Sequence, residues 1–414
     1  MKQRIVLFIS ILFSFGACSE SSTKPEDNLN RVRLMTEAKE AVRPWLEHAP
    51  TQNGFFRTHF GLNWTPQKGN NRVWLTSQAR LLYVLAKGYD LTRDERFRNA
   101  VRSGGKFLLT HMRDRKGGWH HIVNADGGPI RSNANKYAYS FVIFGLSHAY
   151  RVTGETTFRK AALETWRSGI WPGLVAARKL ARSRSQNEFV GIQHPKNRFW
   201  SQNAFMHLFE ALLALHDITD SPEIWSDIRA MARLMKDKMM RPCGCLPEWY
   251  EAATLSPQKN NKDGNVNLGH QVEWSFLLSR AIDKGLSSNY RTVAEGLLDF
   301  AIKHGVDQDN GNLQKTSDEN GWVRGQGDWW WAQAEMMRAT IYFAAKRGRA
   351  DLWPIYKRAH TFVRIHYLDQ QRGGWVQQSI VRNKTSSLRK VIGYHAVAFY
   401  AEALRVLAGN AKGP

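Results

Sequence analysis

From Ala204 to Leu215 the chain reads AFMHLFEALLAL, apolar at ten of twelve positions, which marks a helix buried nearly all round. Between Glu223 and Met239 the residues Ile224, Trp225, Ile228, Met231, Met235 and Met239 recur at steps near 3.6, which predicts a helix with one face in water. The alternation repeats. Buried-type helices are predicted to begin near Trp74, Asn135, Gln202, Gly269, Trp330 and Gly393, at separations of 61, 67, 67, 61 and 63 residues. Amphipathic helices fall between them, near Arg31, Thr92, Thr156, Ser221, Ser287 and Ala350. A fixed period of this kind signals a repeat architecture. Six pairs predict an all-α fold, an (α/α)6 barrel of six inner and six outer helices. The inner-to-outer links are short, whereas long loops at 111–134, 171–201, 240–268, 304–329 and 369–392 precede inner helices. Long loops in a compact domain tend to be functional, so a cleft is expected at the N-terminal ends of the inner helices. Gly-Gly-Trp at 117–119 and 373–375 predicts tight turns of two short hairpins in those loops.

On helices this apolar, a polar side chain needs a partner or a function. Arg80, Tyr137, Asn203, His207, Glu210, His270, Glu273, Gln333, Glu335 and His395 sit near the starts of the six inner helices. His207 and Glu210 are spaced i, i+3, as are His270 and Glu273, so each pair shares a helix face where the carboxylate can fix the imidazole tautomer. With His395 as a third imidazole, the set suits general acid–base chemistry. Carboxylate-bridged metal bundles use Glu-x-x-His, the reverse order, so no metal is expected. The alternative for any one of these residues is a satisfied polar network that fixes helix register. Trp274 and Trp330 lie among ten indoles in or beside the loops, and indoles stack on the C–H faces of sugars.

The 414 residues carry 59 Lys and Arg against 36 Asp and Glu, a net charge of +23, which raises nucleic acid as a partner. The N-terminus redirects that charge. Lys2 and Arg4 precede an apolar run from Ile5 to Phe15, and Gly16-Ala17 leads into Cys18, the layout of a secretory signal with the lipobox cysteine of bacterial lipoproteins. Residues 1–17 are therefore expected to be a signal peptide, Cys18 the lipidation site, 18–30 a polar tether and 31–414 a single domain. The expected location is the bacterial cell envelope, lipid-anchored, or the exterior if Cys18 is not acylated. Nucleic acid is then not an expected partner, and the charge concerns anionic glycans or substrate. Cys243 and Cys245 lack further soft ligands for zinc and are expected to be loop thiols. Arg178, Lys179, Arg182, Arg184, Lys196 and Arg198 form a basic stretch, expected in a loop on the open face.

Leu-Thr-Ser-Gln-Ala-Arg ending at Arg80, Gln-Asn-Ala-Phe-Met-His-Leu-Phe-Glu-Ala at 202–211, Gly-His-Gln-Val-Glu-Trp at 269–274, Trp-Trp-Ala-Gln-Ala-Glu at 330–335 and Tyr-His at 394–395 together resemble the N-acylglucosamine 2-epimerase family. This family includes cellobiose 2-epimerases and mannose or sulfoquinovose isomerases. The resemblance implies a cofactor-independent 2-epimerase or aldose–ketose isomerase acting on a mono- or disaccharide, neutral or anionic, as a monomer or homodimer. It implies that His270 and His395 are the acid–base pair, that Arg80 stabilises an enediolate, and that His207 contacts sugar hydroxyls or assists ring opening. Glu210 and Glu273 would orient their histidines, with Asn203, Tyr137, Trp330, Gln333, Glu335 and Trp274 binding substrate. Two alternatives stay open: a lyase or hydrolase of acidic polysaccharide, and a non-catalytic glycan-binding lipoprotein.

Overall fold

The computed structural model describes residues 25–168, 171–182, 199–258 and 265–408. The expected signal sequence and Cys18 lie outside the described residues. The fold is mostly helical, with thirteen α-helices among the described residues. Six are buried: α2 (Leu75–Thr92), α4 (Lys136–Thr153), α7 (Gln202–His216), α9 (Leu268–Asp283), α11 (Trp330–Lys346) and α13 (Tyr394–Leu407). Each packs on the next and α13 returns to α2, which closes a ring. Six others lie outside it: α1 (Pro25–His48), α3 (Glu95–Phe107), α5 (Thr156–Ser168), α8 (Pro222–Leu234), α10 (Arg291–Gly305) and α12 (Leu352–His366). Helix α1 begins at Pro25, inside the stretch read as a tether.

The thirteenth helix, α6 (Pro172–Arg182), corrects a sequence expectation. Leu174, Ala177 and Leu180 recur every third residue and are buried, and the basic residues between them had masked that stripe. Arg178 forms a two-point ion pair with Asp227 of α8, at 2.7 and 2.6 Å, so this charge ties two helices together. Arg184, Lys196 and Arg198 lie outside the described residues.

Short strands run straight into the inner helices and fix their first turns. Arg72–Trp74 leads into α2, Phe199–Ser201 into α7 and Val266–Asn267 into α9. Each pairs antiparallel with a strand from another loop: Ile122–Asn124, Trp249–Glu251 and Thr316–Ser317. Caps add direction, with Ser201 Oγ accepting from the Asn203 amide and Asn267 Oδ1 from that of His270.

Gln78, Gln271 and Gln333 share one structural role. Each is the fourth residue of its helix, and its side-chain amide bonds both the N–H and the C=O of one loop residue, at Phe56, Leu246 and Leu313 (2.7–3.0 Å). Gln333 is therefore a loop clamp and not the sugar ligand expected from sequence. The two Gly-Gly-Trp segments close hairpins through bridges from Arg113 to Trp119 and from Leu368 to Trp375. Cys243 and Cys245, expected as free thiols, form a disulfide. The spacing allows it because their Cα atoms stand 5.4 Å apart across a turn with Gly244 at φ 79°. No described helix is long and apolar enough to cross a membrane.

Candidate active site

The N-terminal ends of the ring enclose a cavity of about 410 Å³ lined by Arg80, Tyr137, Asn203, His207, Glu248, Asn267, His270, Trp330, Trp331 and His395. All six inner helices or the strands feeding them contribute. Most of the predicted cluster therefore meets at one mouth.

Each imidazole is held through Nδ1 by a carboxylate. His395 Nδ1 lies 2.7 Å from Glu335 Oε1, and His207 Nδ1 lies 3.1 Å from Glu210 Oε2. His270 is different. Its Nδ1 sits 2.6 Å from Glu248 Oε2, a residue from the loop after α8, and not beside Glu273 as the i, i+3 spacing had suggested. Antiparallel pairing of Ser201 with Trp249 brings Glu248 there, and Ser201 Oγ and Gln202 Nε2 donate to its carboxylate at 2.8 and 2.9 Å. With Nδ1 engaged, Nε2 is the ring nitrogen each histidine offers to the cavity.

Glu273 instead faces His207, 3.9 Å from its Nδ1, and is 0% exposed with no hydrogen-bond partner on either oxygen. Burial first, then the neighbouring Glu335 and Glu210, push its carboxyl well above the usual carboxylate range. Burial pushes Glu335 up to about 8 against the pull of Arg338. Glu248 goes the other way: burial opposes ionisation, but His270, Ser201 and Gln202 outweigh it and hold its pKa below the ordinary value. His395 lies well below the ordinary imidazole value, through burial and then Arg80.

Arg80 is fixed by aromatic rings. Its guanidinium lies 4.2 Å from the Phe141 ring centre and 5.2 Å from that of Tyr394, and it donates to the Tyr137 hydroxyl at 2.7 Å. Its Nε is buried without a hydrogen-bond partner, as is Asn203 Oδ1. Trp331 packs on both His270 and His395, with ring centres 5.1 and 5.5 Å away. Gly269 permits this, because a Cβ there would fall 2.7 Å from the Trp331 ring.

Trp274, expected to bind substrate, is fully buried and donates through Nε1 to Gln202 Oε1 at 2.6 Å. It holds the amide that supports Glu248. Glu335, also expected at the substrate, holds His395 instead, and Glu210 supports His207 while accepting from the Tyr394 hydroxyl. Glu248, Trp331 and Arg338 had no place in the predicted site. Arg338 pairs with Glu335 at 2.5 Å beneath the pocket. Its signal was present in the sequence as a charged residue on a largely apolar helix, one turn past the N-terminal zone that drew attention. His207, Glu210 and Glu273, and likewise Glu273, Glu335 and His395, bring ligand atoms within 4.8 Å of one another and could hold a divalent ion. The cation observed among these carboxylates is Arg338.

A ring of helices with paired imidazoles, a fixed guanidinium and unspent polar atoms around one small cavity defines a fold and pocket suited to proton transfer on a polar ligand. The chain matches the profile of N-acylglucosamine 2-epimerase (GlcNAc 2-epimerase) over residues 54–398 and belongs to that family. It is 23% identical to a cellobiose 2-epimerase of Bacteroides fragilis over 372 residues, covering 84% of this chain and 91% of the relative. It is 22% identical to a D-mannose isomerase of Marinomonas mediterranea, covering 81% and 88% of the two chains. The crystal structure of a D-mannose isomerase superposes with a TM-score of 0.78 at 20% identity, covering 93% of this chain and all of that one, which extends the likeness to the fold.

Proposed function

We propose that this (α/α)6-barrel protein is a sugar 2-epimerase or aldose–ketose isomerase in which His270 and His395 move a proton at C2 of an open-chain reducing sugar. The observation that carries the reading is that two imidazoles, each tied to a carboxylate through Nδ1 and both packed on Trp331, line one cavity with the Arg80 guanidinium. One imidazole removes the C2 proton, and the electron pair passes into the carbonyl to give an enediolate whose oxygen charge Arg80 stabilises. Return of a proton to C2 from the opposite face gives the epimer, and delivery to C1 gives the ketose. Ionised Glu248 accepts from His270 Nδ1–H and leaves a lone pair on Nε2, which makes His270 the base for one epimer. The dyad of Glu335 and His395 retains one proton between its members and serves as the acid. Asn203, Tyr137 and Trp330 bind hydroxyls and the sugar face, and His207 assists ring opening.

The test is hydrogen exchange. In D2O one of mannose, N-acetylmannosamine and cellobiose is expected to lose its C2 proton to solvent deuterium, read by NMR. Retention of the C2 proton in every reducing sugar tried would sink the reading. The alkaline side of the pH profile follows from the dyad: kcat/KM is expected to fall through about pH 8 as Glu335 gives up its proton. Glu335→Gln should remove the alkaline limb while leaving a slower enzyme. An unchanged limb would take Glu335 out of the acid role.

We further propose that the protein is exported and anchored at Cys18. The disulfide supports an oxidising compartment. The acidic-polysaccharide alternative loses part of its motivation, because Arg178 is committed to Asp227 on the outside of the ring.

A further inference from the structure

The Cys243–Cys245 disulfide takes no part in the chemistry above, yet its position is informative. It lies in the loop that supplies Glu248, and its two halves differ: Cys243 is exposed to solvent, whereas Cys245 is 0% exposed. The turn between them is closed by the Arg241 amide donating to the Cys245 carbonyl and the Gly244 amide to that of Arg241, both at 3.0 Å. A thiolate cleaves a disulfide by reaching one sulfur and expelling the other, so access decides which sulfur is attacked. Here only the Cys243 side is open to water.

Leu246 follows at once, with its N–H and C=O both clamped by Gln271, the neighbour of His270 on α9. Two residues further, Glu248 holds His270. The covalent turn thus ends three residues along the chain from the carboxylate that orients this imidazole. Arg241 anchors its other end through an ion pair with Glu319 at 3.0 Å, in the loop between α10 and α11.

We propose that the Cys243 side of this disulfide is a thiol-exchange site for a small-molecule thiol, and that its state is read at His270 through Glu248. The incoming thiolate forms a mixed disulfide with Cys243 Sγ, the Cys243–Cys245 bond breaks, and Cys245 leaves with the electron pair as a thiolate that takes a proton from water. A second thiol then attacks the mixed disulfide, giving the dithiol protein and the oxidised small molecule, a balanced two-electron reduction. Tightening of the turn on reoxidation restores the Glu248 position. The kinetic consequence rests on the sugar reaction proposed above, whereas the exchange itself does not.

The experiment treats folded full-length protein, purified in air, with millimolar reduced glutathione, followed by acid quench, N-ethylmaleimide and peptide mass mapping. The expected product carries glutathione on Cys243 and maleimide on Cys245. Two free thiols in the starting protein, adduct on Cys245, or no exchange without denaturant would each overturn the assignment. In parallel, the reduced protein and Cys243→Ser/Cys245→Ser should share a kcat lower than the oxidised protein by on the order of tenfold, with KM little changed. Equal kcat in all three would overturn the link to His270. Should no sugar turn over at all, the mass mapping still decides the exchange site.

Discussion

His270→Ala and His395→Ala should each lower kcat by about 10³–10⁴-fold, while binding of a non-reacting sugar alcohol stays within a few-fold of the parent. What the two variants still exchange depends on the reaction. If the reaction is epimerisation, the imidazoles act from opposite faces of C2. His395→Ala then continues to wash deuterium into the epimer from which His270 takes the proton, without inverting it, and His270→Ala does so only for the other epimer. If the reaction is isomerisation, one imidazole carries the proton from C2 to C1 on one face and the other protonates the sugar oxygen, so both variants lose turnover and C2 exchange together. NMR on each epimer with each variant separates these outcomes. Full turnover in either alanine variant would overturn the assignment of the pair. Glu248 belongs to the same unit as His270, so a Glu248→Gln/His270→Ala double variant should be no slower than His270→Ala alone.

The helical ring was legible because its inner members are apolar on nearly every face, a pattern no loop or strand of that length sustains. The predicted starts at Gln202 and Trp330 coincide with the first residues of α7 and α11, and those at Asn135 and Gly393 precede α4 and α13 by one residue. The site was legible where it depends on helical spacing: His207 with Glu210 is a pair within one helix. It was not legible where tertiary pairing makes the contact. Nothing local distinguishes Glu248 from any other loop carboxylate until the strand at Trp249–Glu251 pairs with Phe199–Ser201 and carries it to His270. The exchange of roles between Glu273 and Glu248 has the same cause, since i, i+3 spacing offers a contact and the rotamer decides whether it is made. Gln333 and Trp274 misled for a complementary reason. They are polar or aromatic groups near the mouth, but buried backbone and side-chain amides claimed their hydrogen-bonding atoms first.

Arg338→Met is expected to cost about 3–5 kcal/mol of folding free energy above pH 8, the largest stability loss foreseen for a single side chain. The methionine fills the space over Phe276, where the guanidinium now lies 4.2 Å from the ring centre, so the loss is electrostatic and not a cavity. Without the cation, Glu335, Glu210 and Glu273 share a buried space with no compensating charge. Their escape is protonation, and this gives the loss a pH dependence whose sign is fixed. A carboxyl whose pKa is raised by folding contributes its full stability below the unfolded value and loses it as pH rises through the folded value. Glu335 already stands at about 8, and removal of Arg338 raises it further. Below about pH 8 Glu335 keeps its proton with or without Arg338, so urea denaturation should show a deficit that widens as pH rises through 8, where only the parent ionises Glu335 beside a cation. Replacing the partner as well should recover most of it: Arg338→Met/Glu335→Gln is expected to be more stable than Arg338→Met alone, a positive coupling for two groups 2.5 Å apart. Glu335→Gln by itself retains the cation beside Glu210, so its loss should be the smaller of the two single variants. A deficit independent of pH, or a double variant less stable than either single, would mean that Arg338 acts through packing on Phe276 and not as the countercharge for the carboxylates beneath the pocket.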